Sequence, residues 1–139
     1  MPRLATTRRR LQAAAGFTLI ELMVVIALIS VLAGMGVVQY RHSVVRTKEA
    51  VLREDLFRMR DAIDQYYADK AKYPASLEAL VADGYLRQLP KDPITNSSET
   101  WQTIPSEPDP GDPTAEAGIF DVKSGSEGTS IDGSRYNEW

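Results

Sequence analysis

Apolar positions fall into two regimes along this chain. From Phe17 to Val38 they form a near-continuous run, broken early by the carboxylate of Glu21. At a rise of about 1.5 Å per residue, about 22 residues make a helix of roughly 33 Å, enough to cross a hydrocarbon core of about 30 Å. From Gln39 the chain turns polar, with Arg41, His42, Arg46, Lys48 and Glu49, yet apolar residues recur at helical spacing. Val45, Leu52, Leu56, Met59, Ile63 and Tyr66 trace one stripe, which Val44, Phe57 and Tyr67 widen. Glu49–Arg53, Glu54–Arg58 and Asp61–Gln65 stand four residues apart and are expected as pairs on the wet side. No proline interrupts Phe17 to Tyr73. The pattern predicts one long helix, membrane half first and amphipathic half second (41–73), ending at Tyr73-Pro74 because proline disfavours helix in the residue before it.

Beyond Pro74 the elements shorten. Ser76 is placed to cap a short helix over 76–83, with Leu77, Leu80 and Val81 as its apolar face and Gly84 closing it at positive φ. Tyr85 to Pro93 reads as extended, with two prolines. Alternation predicts two strands, near 101–104 and 118–123. Between them, Pro105 to Ala117 holds four prolines and several acids and reads as a mobile connection. Residues 124–139 read as a loop rich in Gly, Ser and acids. An isolated pair of such short strands is marginal, so it must pack on the long helix. The fold class is α+β.

Charge sharpens this division. Arg3, Arg8, Arg9 and Arg10 precede Gly16 with no acid among them, so all 19 acidic residues lie beyond it. A basic stretch before an apolar helix favours a cytoplasmic N-terminus and an exported acidic remainder. An acidic surface argues against nucleic acid as a partner. There is no cysteine, which excludes disulfides and thiolate metal sites.

The stretch Gly16-Phe17-Thr18-Leu19-Ile20-Glu21, behind a basic leader and at the head of a spanning helix, resembles the signature of type IV pilins and type II secretion pseudopilins. In that family a dedicated peptidase cuts after the Gly, the new N-terminal Phe is methylated, and the fifth mature residue is Glu. The resemblance therefore implies a leader over 1–16, a membrane and filament-core helix half over 17–40, and a periplasmic domain over 41–139. Tyr73-Pro74 and Leu89-Pro90-Lys91-Asp92-Pro93 resemble the major, G-type pseudopilins, as do Gly118-Ile119-Phe120-Asp121, Ser124-Gly125-Ser126-Glu127-Gly128 and Asn137-Glu138-Trp139. Two departures stand out: Val38 occupies a position where relatives often carry proline, and Ile94-Thr95-Asn96 follows Asp92-Pro93 where they often have Trp-Gly-Asn.

Two candidate sites follow. A carboxylate in an apolar helix needs a partner. In a stack of mature copies, Glu21 of one could meet the Phe17 ammonium of the next; the competing reading leaves Glu21 in the headgroup zone. The G-type resemblance also implies calcium in the C-terminal loop. Glu127, Asp132 and Asp121 are the candidate ligands, because calcium prefers hard oxygens. Adjacent carboxylates typical of that loop are absent, Ser134-Arg135 standing in their place, and a solvated acidic turn is the alternative.

No enzyme is expected. His42 is the single histidine, no thiol nucleophile exists, and no phosphate-binding glycine loop follows a strand. The resemblance implies a precursor processed by prepilin peptidase, then a homopolymeric filament. Its implied partners are minor pseudopilins, an inner-membrane platform protein and an assembly ATPase, with membrane lipid around the helix before assembly. Three rivals remain: a surface type IV pilin, a single-pass anchored module that never polymerises, and a secreted protein cut after Val31-Leu32-Ala33.

Overall fold

The computed structural model describes residues 16–107, Gly111 and 117–139. The expected leader, apart from Gly16, and most of the Pro105–Ala117 connection lie outside these residues.

One helix dominates: α1 spans Leu19–Lys70 without interruption. It opens with a capping box. The Glu21 N–H donates to Thr18 Oγ1 at 3.2 Å, and the Thr18 N–H donates to Glu21 Oε2 at 3.4 Å. This Thr-x-x-Glu reciprocity satisfies two donors at the start of the helix. The chain divides into two compact units, the second being Tyr40–Trp139. Within the first unit, every residue of α1 up to Gln39 is exposed. Its one hydroxyl, on Ser30, donates back to the Ile26 carbonyl at 2.8 Å. The polar group is thus satisfied inside the helix, as an apolar surrounding requires.

In the second unit α1 supplies one wall of the core with Leu52, Leu56, Met59, Ala62, Ile63 and Tyr66. Opposite stand Leu77 and Leu80 of α2 (Leu77–Ala82), Trp101, Ile119 and Val122, and Tyr136. Strands β1 (Gln102–Pro105) and β2 (Ile119–Lys123) pair antiparallel, Thr103 facing Val122, with a register shift at Ile104/Pro105. The architecture is α+β: a long N-terminal helix with a short helix and a small antiparallel sheet.

Several expectations hold at residue level. Ser76 caps α2, its Oγ accepting the Ala79 N–H, and Gly84 follows at φ 82°. Each strand lies one residue later at its start than the alternation placed it. The end of α1 needs correction: it stops at Lys70, not at Tyr73. Ala71 turns into the left-handed region at φ 53°. The exit leaves Tyr73 free of helical geometry, which Pro74 disfavours there, and lets the Pro74 carbonyl accept the Ile119 N–H at 2.8 Å. Tyr73 then stacks on Tyr67 with ring centroids 4.5 Å apart and meets Phe120 edge-on at 5.7 Å.

The stripe is also placed differently. Phe57 does not join the core; it is 67% exposed. Glu49, expected on the wet side, is buried with 5% exposure. The spacing explains it. Positions 49, 52, 56, 59, 63 and 66 alternate steps of three and four, so Glu49 falls on the buried row; Val45, four residues before it, is exposed. Among the expected pairs, Arg58 Nε meets Glu54 Oε1 at 2.8 Å and Gln65 Nε2 donates to Asp61 at 2.7 Å, but Glu49 has no ion pair with Arg53.

The 124–139 segment is more ordered than a plain loop. Thr129 and Arg135 form a bridge around a tight turn, and one 3-10 turn, Tyr136–Glu138, follows. Gly125 approaches Thr100 so closely that a Cβ there would stand 1.9 Å from the Thr100 carbonyl oxygen, so no other residue fits.

Candidate functional site

At the head of the chain, Gly16, Phe17 and Glu21 are adjacent at the start of α1, and Phe17 is exposed. The capping box gives Glu21 a role that the sequence reading missed, although Thr18-x-x-Glu21 carries its signature. Only Oε2 is engaged; Oε1 makes no hydrogen bond among the described residues. The position of Glu21 in the first turn also suits the positive end of the helix dipole.

The three candidate calcium ligands are not brought together. Asp121, on β2, accepts from Arg60 Nε at 2.7 Å and from the Val122 N–H at 2.7 Å, both on Oδ1. Asp132 sits in the 130–134 turn, where Oδ1 accepts the Ser130 hydroxyl, the Ser134 N–H at 3.0 Å and the Ser134 hydroxyl at 2.6 Å. Those donors hold its carboxyl down at about 2, with Arg53, 3.6 Å from Oδ2, as a lesser cause. Glu127 is exposed and joins neither. No group of three metal-binding side chains forms among the described residues. Calcium asks for six to eight converging oxygens. Asp121, Glu127 and Asp132 do not fit that requirement.

What the segment does have is a set of contacts to one face of α1. Glu49 Oε1 accepts the Ile131 N–H at 2.8 Å and the Tyr136 hydroxyl at 2.9 Å. Burial, then the bond to Glu49, pushes the Tyr136 hydroxyl up to about 12. One turn on, the Arg53 guanidinium lies 4.1 Å from the centre of the Trp139 ring. Two turns further, Arg60 Nη2 donates to the Val122 carbonyl at 3.0 Å and to Trp139 O at 2.8 Å, while its Nε holds Asp121. Glu49, Arg53 and Arg60 are the residues that sequence reasoning missed. Their signal was position: each falls on or beside the buried row, where a charge needs partners.

A second polar anchor sits under β2. Asp92, fully buried, accepts the Ile94 N–H at 2.8 Å, the Thr95 N–H at 3.3 Å and the Ser124 hydroxyl. Trp101 Nε1 donates to the Pro90 carbonyl at 2.9 Å. The Leu89-Pro90-Lys91-Asp92-Pro93 stretch is thus tied to both the first strand's entry and the C-terminal segment.

Comparison with known proteins adds two findings. The family profile described as "Prokaryotic N-terminal methylation motif" matches residues 11–37, which include Gly16, Phe17 and Glu21. Over 97 residues the chain is 37% identical to the type II secretion system core protein G of Pseudomonas aeruginosa, covering 58% of this chain and 68% of that one. The protein of the same name from Escherichia coli is 33% identical, over 58% of this chain and 67% of its own. That from Vibrio cholerae is 28% identical over 93% of this chain and 96% of its own. No solved structure matches the chain. With a methylation motif at the head of an exposed apolar helix and this likeness, the chain belongs to the family of type II secretion system core protein G.

Proposed function

We propose that this chain is the precursor of a structural subunit of a periplasmic pseudopilus. It is cut between Gly16 and Phe17 by prepilin peptidase, methylated on the Phe17 amine, and held in the inner membrane by the first half of α1. The leader faces the cytoplasm and the 41–139 domain faces the periplasm. An assembly ATPase and a membrane platform protein then draw it, with minor pseudopilins, into a homopolymeric filament that moves folded proteins across the outer membrane. No catalytic residue is assigned.

One observation carries this reading. The first half of α1 is long and apolar enough to cross a membrane, and among the described residues each of its side chains is exposed. A helix apolar all round needs burial in lipid or in other protein. Exchange of lipid for neighbouring copies satisfies that need in both states. Glu21 supports it: a carboxylate with one oxygen unbonded among the described residues, four residues from Phe17, matches in charge the amine that processing would expose on an adjacent copy. Breaking such a buried pair costs about 3–5 kcal/mol, enough to impose register.

Mass spectrometry of the chain recovered from membranes tests the processing step. The expected first residue is N-methylated Phe17; a chain starting after Ala33 means an ordinary secreted protein. For assembly, Glu21→Ala is expected to be trimmed normally but to form no filaments. Filaments as abundant as those of the unaltered chain would overturn the pairing. Fibres removed from the cell surface by shear would instead indicate a surface pilus.

A further inference from the structure

We propose that in this chain the Glu49 carboxylate and the Arg60 guanidinium fasten the C-terminal segment to α1 in place of a bound divalent cation, so that the Tyr40–Trp139 unit keeps its fold without metal. The inference does not depend on filament formation.

The argument starts from what a cation in such a loop would do. It would gather carboxylate and carbonyl oxygens from separate turns onto one positive centre. Here three oxygens from two separate places in the chain already converge on one positive centre, and that centre is a side chain. Asp121 Oδ1, the Val122 carbonyl and Trp139 O all accept from Arg60. A guanidinium carries its charge on a planar fork of five donors and cannot be deprotonated, so it can bridge several oxygens as a permanent cation. Asp121 Oδ1 is thereby committed to β2 and α1.

The second half of the fastening has the opposite polarity. At Glu49 the loop presents donors, the Ile131 N–H and the Tyr136 hydroxyl, to a buried anion. A cation site needs the reverse, oxygens aimed inward. Asp132, between these donors in sequence, has one oxygen filled by two hydroxyls and an N–H, and the other facing Arg53. Ser130 and Ser126 are buried and bonded within the loop. No buried side-chain polar atom among the described residues lacks a partner. The buried side-chain polar atoms of the segment are therefore satisfied by protein groups. A carboxylate and a guanidinium eleven residues apart on α1 occupy the two ends of one helix face and hold the segment at both.

Limited trypsin digestion of the full chain in detergent, read by mass spectrometry, tests this directly. Lys123 precedes the fastened segment and Arg135 lies within it, and Arg58 lies in α1 as a reporter of global unfolding. In the unaltered protein, cutting after Lys123 and Arg135 is expected to be equally slow in a calcium chelator and in excess calcium. Faster cutting in chelator, restored by calcium, overturns the proposal, and this arm needs no variant to fold. In Glu49→Gln and in Arg60→Lys, cutting after Lys123 and Arg135 is expected to quicken about tenfold or more, because losing a charge-assisted hydrogen bond raises the open population by that order. Cutting after Arg58 should lag behind it. Protection unchanged in both variants overturns the fastening role.

Discussion

The two halves of α1 share one backbone geometry and have opposite surroundings. Leu28, in the first half, is 59% exposed, whereas Leu56, in the second, is 2% exposed. Both are leucines in unbroken helix, so local propensity does not separate them. Hydrophobic burial does, and in the first half it has to come from outside the chain. The second half completes its environment internally, with an apolar row and with Glu49, Arg53 and Arg60 holding the C-terminal segment. One half is exposed among the described residues and the other is packed into a fixed fold.

The sharpest test of that contrast is a matched pair of truncations. Leu56→Ala is expected to destabilise the folded unit by about 2–5 kcal/mol in denaturant unfolding, as core leucine deletions do. Leu28→Ala is expected to leave the same transition within about 0.5 kcal/mol. A smaller effect is expected at Tyr136→Phe. It removes one of two donors to a buried carboxylate and should cost about 1.5–3 kcal/mol, the range for hydrogen bonds to charged groups.

The same tyrosine predicts a pH signature. Its hydroxyl is pushed from an ordinary 10.0 up to about 12, chiefly by burial and then by Glu49. The unfolded chain therefore releases this proton first. The stabilisation is complete below pH 10 and is lost as pH rises toward about 12. The alkaline fall in stability should be shallower in Tyr136→Phe than in the unaltered chain, seen by comparing unfolding midpoints across that window.

One expected change is a gain. Ala71 holds φ 53° at the end of α1, a conformation that strains an L-residue by about 1–2 kcal/mol. Ala71→Gly is expected to stabilise by about 1 kcal/mol after the added freedom of the unfolded chain is subtracted. A loss instead would mean that the end of α1 is set by something other than this turn.

Legibility followed the range of the interactions. The cap at Ser76, the positive φ at Gly84 and the apolar run from Phe17 depend on a few adjacent residues or on composition alone, and they stood open in the sequence. The Thr18–Glu21 box was equally local and was overlooked because Glu21 had been read only as a charge needing a neighbour. Glu49 was misplaced because a carboxylate suggests solvent more strongly than its position in the row suggests burial. Its donors, Ile131 and Tyr136, lie more than eighty residues away. The three acids proposed for calcium rest on the G-type resemblance and on the hard oxygens of an acidic loop. Arg60, 61 residues from Asp121, assigned that carboxylate otherwise.

The sequence by itself determined the α+β class, the continuity of the helix from its apolar into its amphipathic half, and the processing motif at its head. These depend on period, length and contiguous residues. Tertiary structure alone decided where α1 stops, which charge enters the core and how the C-terminal segment is held. Those outcomes rest on the burial of polar groups beside partners distant in the chain, and a buried charge is stable only where folding delivers its donors.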